Sequence, residues 1–340
     1  MGKKESPLVS IRCTVYNHEP YLRQCLDGFV MQKTNFAFEA IVHDDASTDN
    51  SAEIIREYAE KYPDIIKPIY ETENQYSKHD GSLRRIMDAA IHPDAKYIAI
   101  CEGDDYWIDA KKLQKQVDYL QTHPSCVIVH SNFSYYIDRE KRYYVDVSQD
   151  SFNVNTDESN RQQIMRDILY NNKYRVTTVT AMYRKETYDR ICETYSSLLN
   201  KFLMGDTQLW ICLVSIGDIH YFNESMAVYR KHEGSATFKK HSKDILRFRL
   251  SASEMRYFSS LSFPELNSES KKYEKILKKD LCKYVAIDSN YHSFVLDLIQ
   301  RNDFRMKLIN CIRKYFIIRF PIYIYYQAID MMRIVYRKLK

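Results

Sequence analysis

The apolar run Tyr97-Ile98-Ala99-Ile100-Cys101 ends at three carboxylates within four residues, Glu102, Asp104 and Asp105. A run this short, set between helical patterns, is a strand buried on both faces of an α/β sheet. In open sheets of that kind, ligands sit beyond the carboxyl ends of the strands. Acids packed there repel one another and stay ionised only beside water or a compensating cation. The stretch is therefore either a solvated acidic turn or an oxygen-rich site for Mg²⁺ or Mn²⁺ shared with substrate phosphates.

The residues before it repeat the same grammar. Leu8 to Val15 reads as a first strand, followed by the polar turn Tyr16-Asn17-His18-Glu19-Pro20 and a helix from Tyr21 to Met31 with Leu22, Leu26, Phe29 and Val30 inward. Phe38 to His43 is a second strand ending in Asp44-Asp45-Ala46-Ser47-Thr48-Asp49. Asp49 or Asn50 can cap the next helix, Ala52 to Lys61, whose inward face is Ile54, Ile55 and Tyr58. Ile65 to Tyr70 makes a third strand and Ser82 to Ala90 a further helix. Strands and helices alternating over about 100 residues predict a mostly parallel sheet flanked by helices.

Composition narrows the chemistry. The chain has only seven glycines, with no G-x-G-x-x-G after the first strand and no G-x-x-x-x-G-K-[ST]. A glycine loop therefore cannot cradle a pyrophosphate, and carboxylates with a metal must do that work. Gly103 and Gly205 each directly precede an aspartate, where a close backbone approach to a ligand would explain them. The 340 residues, 45% hydrophobic and 28% charged, suit an ordinary globular protein. Eight cysteines without metal spacing, and an N-terminus without an apolar signal region, predict a cytoplasmic protein with free thiols. No run is long enough to span a bilayer.

Three motifs in order, Val9-Ser10-Ile11-Arg12-Cys13-Thr14-Val15-Tyr16-Asn17, Asp44-Asp45-Ala46-Ser47-Thr48-Asp49 and Glu102-Gly103-Asp104-Asp105, resemble those of family 2 glycosyltransferases. The resemblance covers roughly residues 7–235. It implies a GT-A, Rossmann-like fold and transfer of a sugar from a nucleotide diphosphate, a UDP-sugar by expectation, with Mn²⁺ or Mg²⁺. It implies that Thr14, Tyr16, Asn17 and Asp45 hold the nucleotide, that Asp104 lies near the ribose or diphosphate, and that Asp105 ligates the metal. Glu102 and Trp107 would face the acceptor or diphosphate. The family's donor-contacting helix is matched by Ser82-Leu83-Arg84-Arg85, without its usual Asn and Gly; Arg84 is the nominated contact, with Arg85 open. Ser47, Thr48 and Asp49 are read as helix caps.

The second half supplies Met204-Gly205-Asp206-Thr207-Gln208, which opens an apolar helix. An aspartate there is either a cap or a base, and the resemblance implies that Asp206 is the general base of an inverting enzyme, with Gly205 in place of the family's first acid. Val228-Tyr229-Arg230-Lys231-His232 resembles a segment that folds over the donor diphosphate. Arg230 or Lys231 would neutralise phosphate, and His232 would bind metal or phosphate. The implied product is a hexosyl or N-acetylhexosaminyl linkage to a glycan or lipid-linked acceptor of a bacterial surface polysaccharide such as capsule or O-antigen. The alternatives are a nucleotidyltransferase and a non-catalytic nucleotide-sugar-binding protein. The first would want a glycine-rich basic loop after the first strand, and the second would have lost Asp105 or Asp206.

Residues 1–237 are thus expected to form the catalytic domain and residues 238–340 a helical appendage. Residues 301–340 carry ten Lys/Arg against Asp303 and Asp330, a net +8, which leaves −3 for the rest of a chain totalling +5. Tyr315, Phe316, Phe320, Tyr323, Tyr325 and Tyr326 interleave with those cations. The pattern predicts a segment lying on an anionic membrane, peripheral on the inner face of the cytoplasmic membrane. No nucleic-acid-reading motif accompanies the patch.

Overall fold

A computed structural model describes residues 5–145, 161–170, 176–203, 205–234, 241–288 and 291, together with 309, 314, 320–326, 328 and 332 of the last forty. The chain divides into two compact units, residues 1–200 with 209–235 and residues 201–208 with 236–340.

The first unit begins with β1 (Val9–Val15), α1 (Glu19–Val30), β2 (Phe38–Asp44), α2 (Ser51–Lys61), β3 (Ile66–Tyr70), α3 (Ser82–Ala90) and β4 (Tyr97–Ile100). There follow β5 (Tyr106–Trp107), α4 (Lys112–Thr122), β6 (Cys126–Ile137), β7 (Arg142–Tyr144), α5 (Arg161–Tyr170), β8 (Met182–Arg184), α6 (Lys185–Thr194) and α7 (Ser196–Asn200). The helix α8 (Asp206–Ile216) leads into β9 (Asp218–Lys231). The sheet order is β3-β2-β1-β4-β8-β6-β9-β5, with β7 paired to β6. The expected parallel pattern holds for β3, β2, β1 and β4. Beyond β4 the sheet is mixed: β8 runs antiparallel to β4 and β6, whereas β6 and β9 are parallel. Strand order reverses at β1, so the chain leaves β1 and β4 in opposite directions, the position at which open α/β sheets bind ligands.

Val9, Ile11, Cys13 and Val15 of β1 are buried, and α1 covers them with Leu22, Cys25, Leu26 and Phe29 at helical spacing. Burying each large side chain contributes roughly 1.5–3 kcal/mol. Trp107 sits in the same core, its ring 5.0 Å from that of Phe29 and its Nε1–H donating to the Val179 carbonyl. Gly28 lets α1 close on β5, because a Cβ there would lie 3.0 Å from the Trp107 nitrogen.

The turns after β1 and β2 are tied to each other. Asn17 and Ala46 both adopt positive φ, 56° and 60°. The Asn17 amide donates to Ser47 Oγ (2.9 Å) and the Thr48 amide to Asn17 Oδ1 (2.7 Å). Asp49 serves two helices at once: Oδ2 accepts the Glu19 amide at the start of α1, and Oδ1 accepts the Ser51 amide at the start of α2, each at 3.0 Å. Glu19 reciprocates by accepting the Asn50 amide and side chain. The expected capping role of this turn therefore extends to α1 as well as α2.

In the second unit α9 (Ser242–Ser262) and α10 (Ser270–Val285) pack through Leu246, Leu250, Met255, Leu277 and Leu281, with a 3₁₀ turn, Pro264–Glu269, between them. Buried Asp280 pairs with the Arg249 charge (2.9 Å), and its Oδ2 accepts the Ser253 hydroxyl (2.7 Å). The helix expected at 294–301 lies outside the described residues.

Partial burial works against the charged form of Asp49, but hydrogen bonds from Ser51 and the Glu19 amide outweigh it and hold the carboxyl below its ordinary 3.8. Its contribution is thus complete above that value and lost as pH falls through the depressed folded value. Asp49→Ala should lower stability by about 2 kcal/mol at neutral pH, one cap for each helix. Urea unfolding would measure this, and the gap to wild type should close in strong acid.

Candidate active site

The ends of β1 and β4 are stitched together by backbone, with the Gly103 amide donating to the Thr14 carbonyl at 3.0 Å. The approach is close enough to require glycine, since a Cβ on Gly103 would lie 2.9 Å from both Val15 Cγ2 and His18 Nδ1. From this tight turn the three acids diverge, each to its own partner. Glu102 Oε2 accepts the Thr178 hydroxyl at 2.8 Å. Asp104 Oδ2 lies 2.9 Å from His232 Nε2. Asp105 Oδ1 accepts the Arg230 amide at 2.7 Å.

Asp104 and His232 form the polar centre. Burial opposes charge on Asp104, but the contact with His232 and the proximity of His18 hold its carboxyl below the usual value. The Tyr21 ring lies 4.5 Å from that of His232, and His18 stands edge-on at 6.3 Å. Burial lowers the basicity of His18, with the Asp104 charge acting the other way. Among the described residues, no three His, Cys, Asp or Glu side chains converge into a complete metal cage.

Asp105, expected as the metal ligand, turns inward instead. It is 2% exposed, and burial followed by the charges of Asp104 and Glu102 pushes its carboxyl well up. Arg230, expected at phosphate, is likewise engaged inside the protein. It is 6% exposed; Nε donates to the Asp104 carbonyl (2.8 Å) and Nη2 to Gln24 Oε1 (2.7 Å). The guanidinium lies over three tyrosines, Tyr21 at 4.7 Å, Tyr106 at 5.2 Å and Tyr136 at 5.3 Å. Trp107, expected near acceptor or diphosphate, is a core residue, its indole N–H bonded and Lys112 Nζ 4.2 Å from its ring.

On the nucleotide side, Thr14 is half-buried and Tyr16 exposed at the end of β1. Both oxygens of buried Asp45 are taken by the Gln75 and Tyr76 amides, at 2.6 and 3.0 Å. Its neighbour Asp44 is equally buried, and its Oδ1 has no hydrogen-bond partner. Arg84 is held by Tyr188 (3.1 Å), Cys192 (2.8 Å) and Asp88 (3.4 Å), whereas Arg85 lies mostly exposed beside Asp80. Asp206 belongs to the second unit and begins α8, where its Oδ1 accepts the Thr207 amide at 2.7 Å. Gly205 meets no steric demand, because a Cβ there would have nothing within 4 Å. Residues that sequence reasoning missed are His18, Tyr21 and Gln24 of the α1 entry, Asp44, and Tyr106 and Tyr136. The signal for His18 and Tyr21 is their place directly after the T-x-Y-N turn.

Residues 10–192 match the model of the family described as glycosyl transferase family 2. The chain is 35% identical over 224 residues to an uncharacterised protein of Mycobacterium tuberculosis, a match covering 66% of this chain and 59% of that protein. It is 28% identical over 240 residues to EpsE of Bacillus subtilis, which is named as a glycosyltransferase, covering 69% of this chain and 77% of EpsE. In fold it is similar to S. aureus TarS in complex with UDP-GlcNAc, with a TM-score of 0.56 at 17% identity over 94% of this chain and 91% of that one.

The pegging of Arg230 is testable by shape as opposed to charge. One ammonium cannot reproduce a fork that donates in two directions while lying flat on rings. Arg230→Lys should therefore lose about 2 kcal/mol of stability in urea unfolding, close to the loss in Arg230→Ala. A lysine variant as stable as wild type would reduce Arg230 to a point charge.

Proposed function

This chain belongs to glycosyl transferase family 2, and we propose that it moves a sugar from a nucleotide diphosphate to a hydroxyl of a glycan or lipid-linked acceptor in bacterial surface-polysaccharide synthesis, with inversion. The observation that carries the reading is the Asp104–His232 pair beyond the carboxyl end of β4, beside the strand-order reversal. We take the donor to be a UDP-sugar, as in the TarS complex.

The Asp104 carboxylate and the His232 imidazole, 2.9 Å apart, would hold a divalent cation between them and the substrate. The pair therefore fits Mn²⁺ or Mg²⁺, with substrate phosphate and water completing the shell. We assign the ion to Asp104 and His232 and give Asp105 the anchoring of β5 to β9 through the Arg230 amide. When bound, such an ion supplies positive charge to the departing diphosphate.

The protein's own residues would do the rest. Asp45 folds the Gln75–Tyr76 loop and through it would shape the nucleotide side of the site. Tyr16 offers its exposed ring for stacking. Asp206 would accept the acceptor hydroxyl's proton as that oxygen forms a bond to the anomeric carbon. The bond from that carbon to the diphosphate breaks, and the electron pair leaves on phosphate oxygen. One displacement inverts the centre and needs no carboxylate nucleophile.

The last part of the chain would hold the enzyme on its lipid-linked acceptor's membrane. Phe320, Tyr323, Ile324 and Tyr325 are exposed on one helical stretch within the +8 segment. Among the described residues no helix is long and apolar enough to cross a membrane, so the attachment proposed is peripheral.

Screening nucleotide sugars for transfer and hydrolysis with Mn²⁺ or Mg²⁺ tests the function. In UDP titrations Asp104→Asn and His232→Ala should each weaken Mn²⁺-dependent binding at least tenfold, about 1.4 kcal/mol or more. Chelation should abolish the difference from wild type. Asp206→Asn should bind UDP normally while transfer falls roughly 10²–10⁴-fold; equal loss of both would leave Asp206 only a cap. For the tail, deleting residues from Arg313 onward should abolish binding to anionic vesicles and spare UDP binding. Wild-type vesicle binding should weaken with salt, each cation contributing about 1 kcal/mol at low ionic strength.

A further inference from the structure

One aromatic ring beside the site is neither core nor idle surface. Tyr143 is 51% exposed on the short hairpin strand β7, yet it is held on two sides. It is registered against Tyr136 of β6, with ring centroids 4.6 Å apart. Its hydroxyl lies 2.7 Å from that of buried Tyr106. Tyr106 and Tyr136 are two of the three rings around Arg230, whose Nε holds the Asp104 carbonyl. The open face of Tyr143 is thus linked by three direct contacts, through Tyr106 and Arg230, to the backbone carbonyl of Asp104, whose carboxylate is proposed to carry the metal. Its neighbour Tyr144 is also exposed, at 38%, but is registered against Tyr135 and bonded to Glu140. Alternation along a strand puts the two rings on opposite faces.

We propose that Tyr143 is a stacking platform for a pyranose ring of the acceptor. The proposal rests on the glycosyltransferase reading and deepens it. A pyranose presents an apolar C–H face and a rim of hydroxyls, which a flat aromatic surface with a polar border matches. Polar groups lie on the same hairpin: Asp138, which accepts from Lys141 and Tyr21, forms the turn between β6 and β7. Because the ring is already fixed by its hydroxyl and by Tyr136, stacking orders no further side chain. A merely solvated tyrosine would not need either restraint.

The experiment uses the full chain with Mn²⁺ and saturating UDP. Variants Tyr143→3-fluorotyrosine and Tyr144→3-fluorotyrosine are titrated by ¹⁹F NMR with methyl pyranosides of glucose, galactose, mannose and N-acetylglucosamine. At least one pyranoside should shift the resonance at position 143 saturably and leave that at 144 in place. By saturation-transfer NMR, Tyr143→Ala should weaken that pyranoside at least tenfold while UDP affinity changes less than about twofold. Tyr143→Phe, which keeps the ring, should stay near wild type. The platform is overturned if no pyranoside moves position 143, if both positions shift alike, or if Tyr143→Ala costs UDP and pyranoside equally. Failure of wild type to bind UDP at all would sink the glycosyltransferase reading itself, and the platform with it.

Discussion

The geometry above β1 and β4 depends on one residue, Arg230. Its amide fixes Asp105, its Nε fixes the Asp104 carbonyl, and its Nη2 fixes Gln24. Strand β9, the turn after β4 and the first turns of α1 are thereby referred to one point. A guanidinium suits this work because its fork donates in several directions at once and its plane packs on rings. Burying that charge is tolerable because Tyr21, Tyr106 and Tyr136 surround it while oxygen acceptors take its N–H groups.

The same arrangement resolves the electrostatic problem of three acids in four residues. Left together, Glu102, Asp104 and Asp105 would raise one another's carboxyls. The fold instead gives them different fates. Glu102 is met by a hydroxyl, Asp105 is buried against an amide with its carboxyl pushed well up, and Asp104 alone is held low beside two histidines. Asp104 is the carboxylate held low, and its two neighbours shape the turn.

Much of this could be read in the sequence, and the division follows contact order. Strands β1 to β4 and their helices are local patterns with caps, and Asp49 announces the turn it organises. Asp104, Asp105, Arg230 and His232 were all nominated as site residues. The contacts that hold them join residues 125 and 128 apart, which no local pattern encodes. Tyr21 and Gln24 matter only because α1 is carried to Arg230. The mixed half of the sheet was unread for a similar reason: β8 has three residues and β5 two, and neither has a periodicity to detect.

The scarcity of glycine explains how such a site is built at all. Folds that grip phosphate with backbone amides need glycines for positive φ and close approach. Here positive φ is taken by Asn17 and Ala46, and the strain at these residues is held by the reciprocal bonds between their turns. Close approach is needed at Gly103, and glycine is kept there. A chain that fixes its turns with Asp49, Ser47 and Glu19 has traded loop plasticity for rigidity, so the ends of β1 and β2 are held in one arrangement.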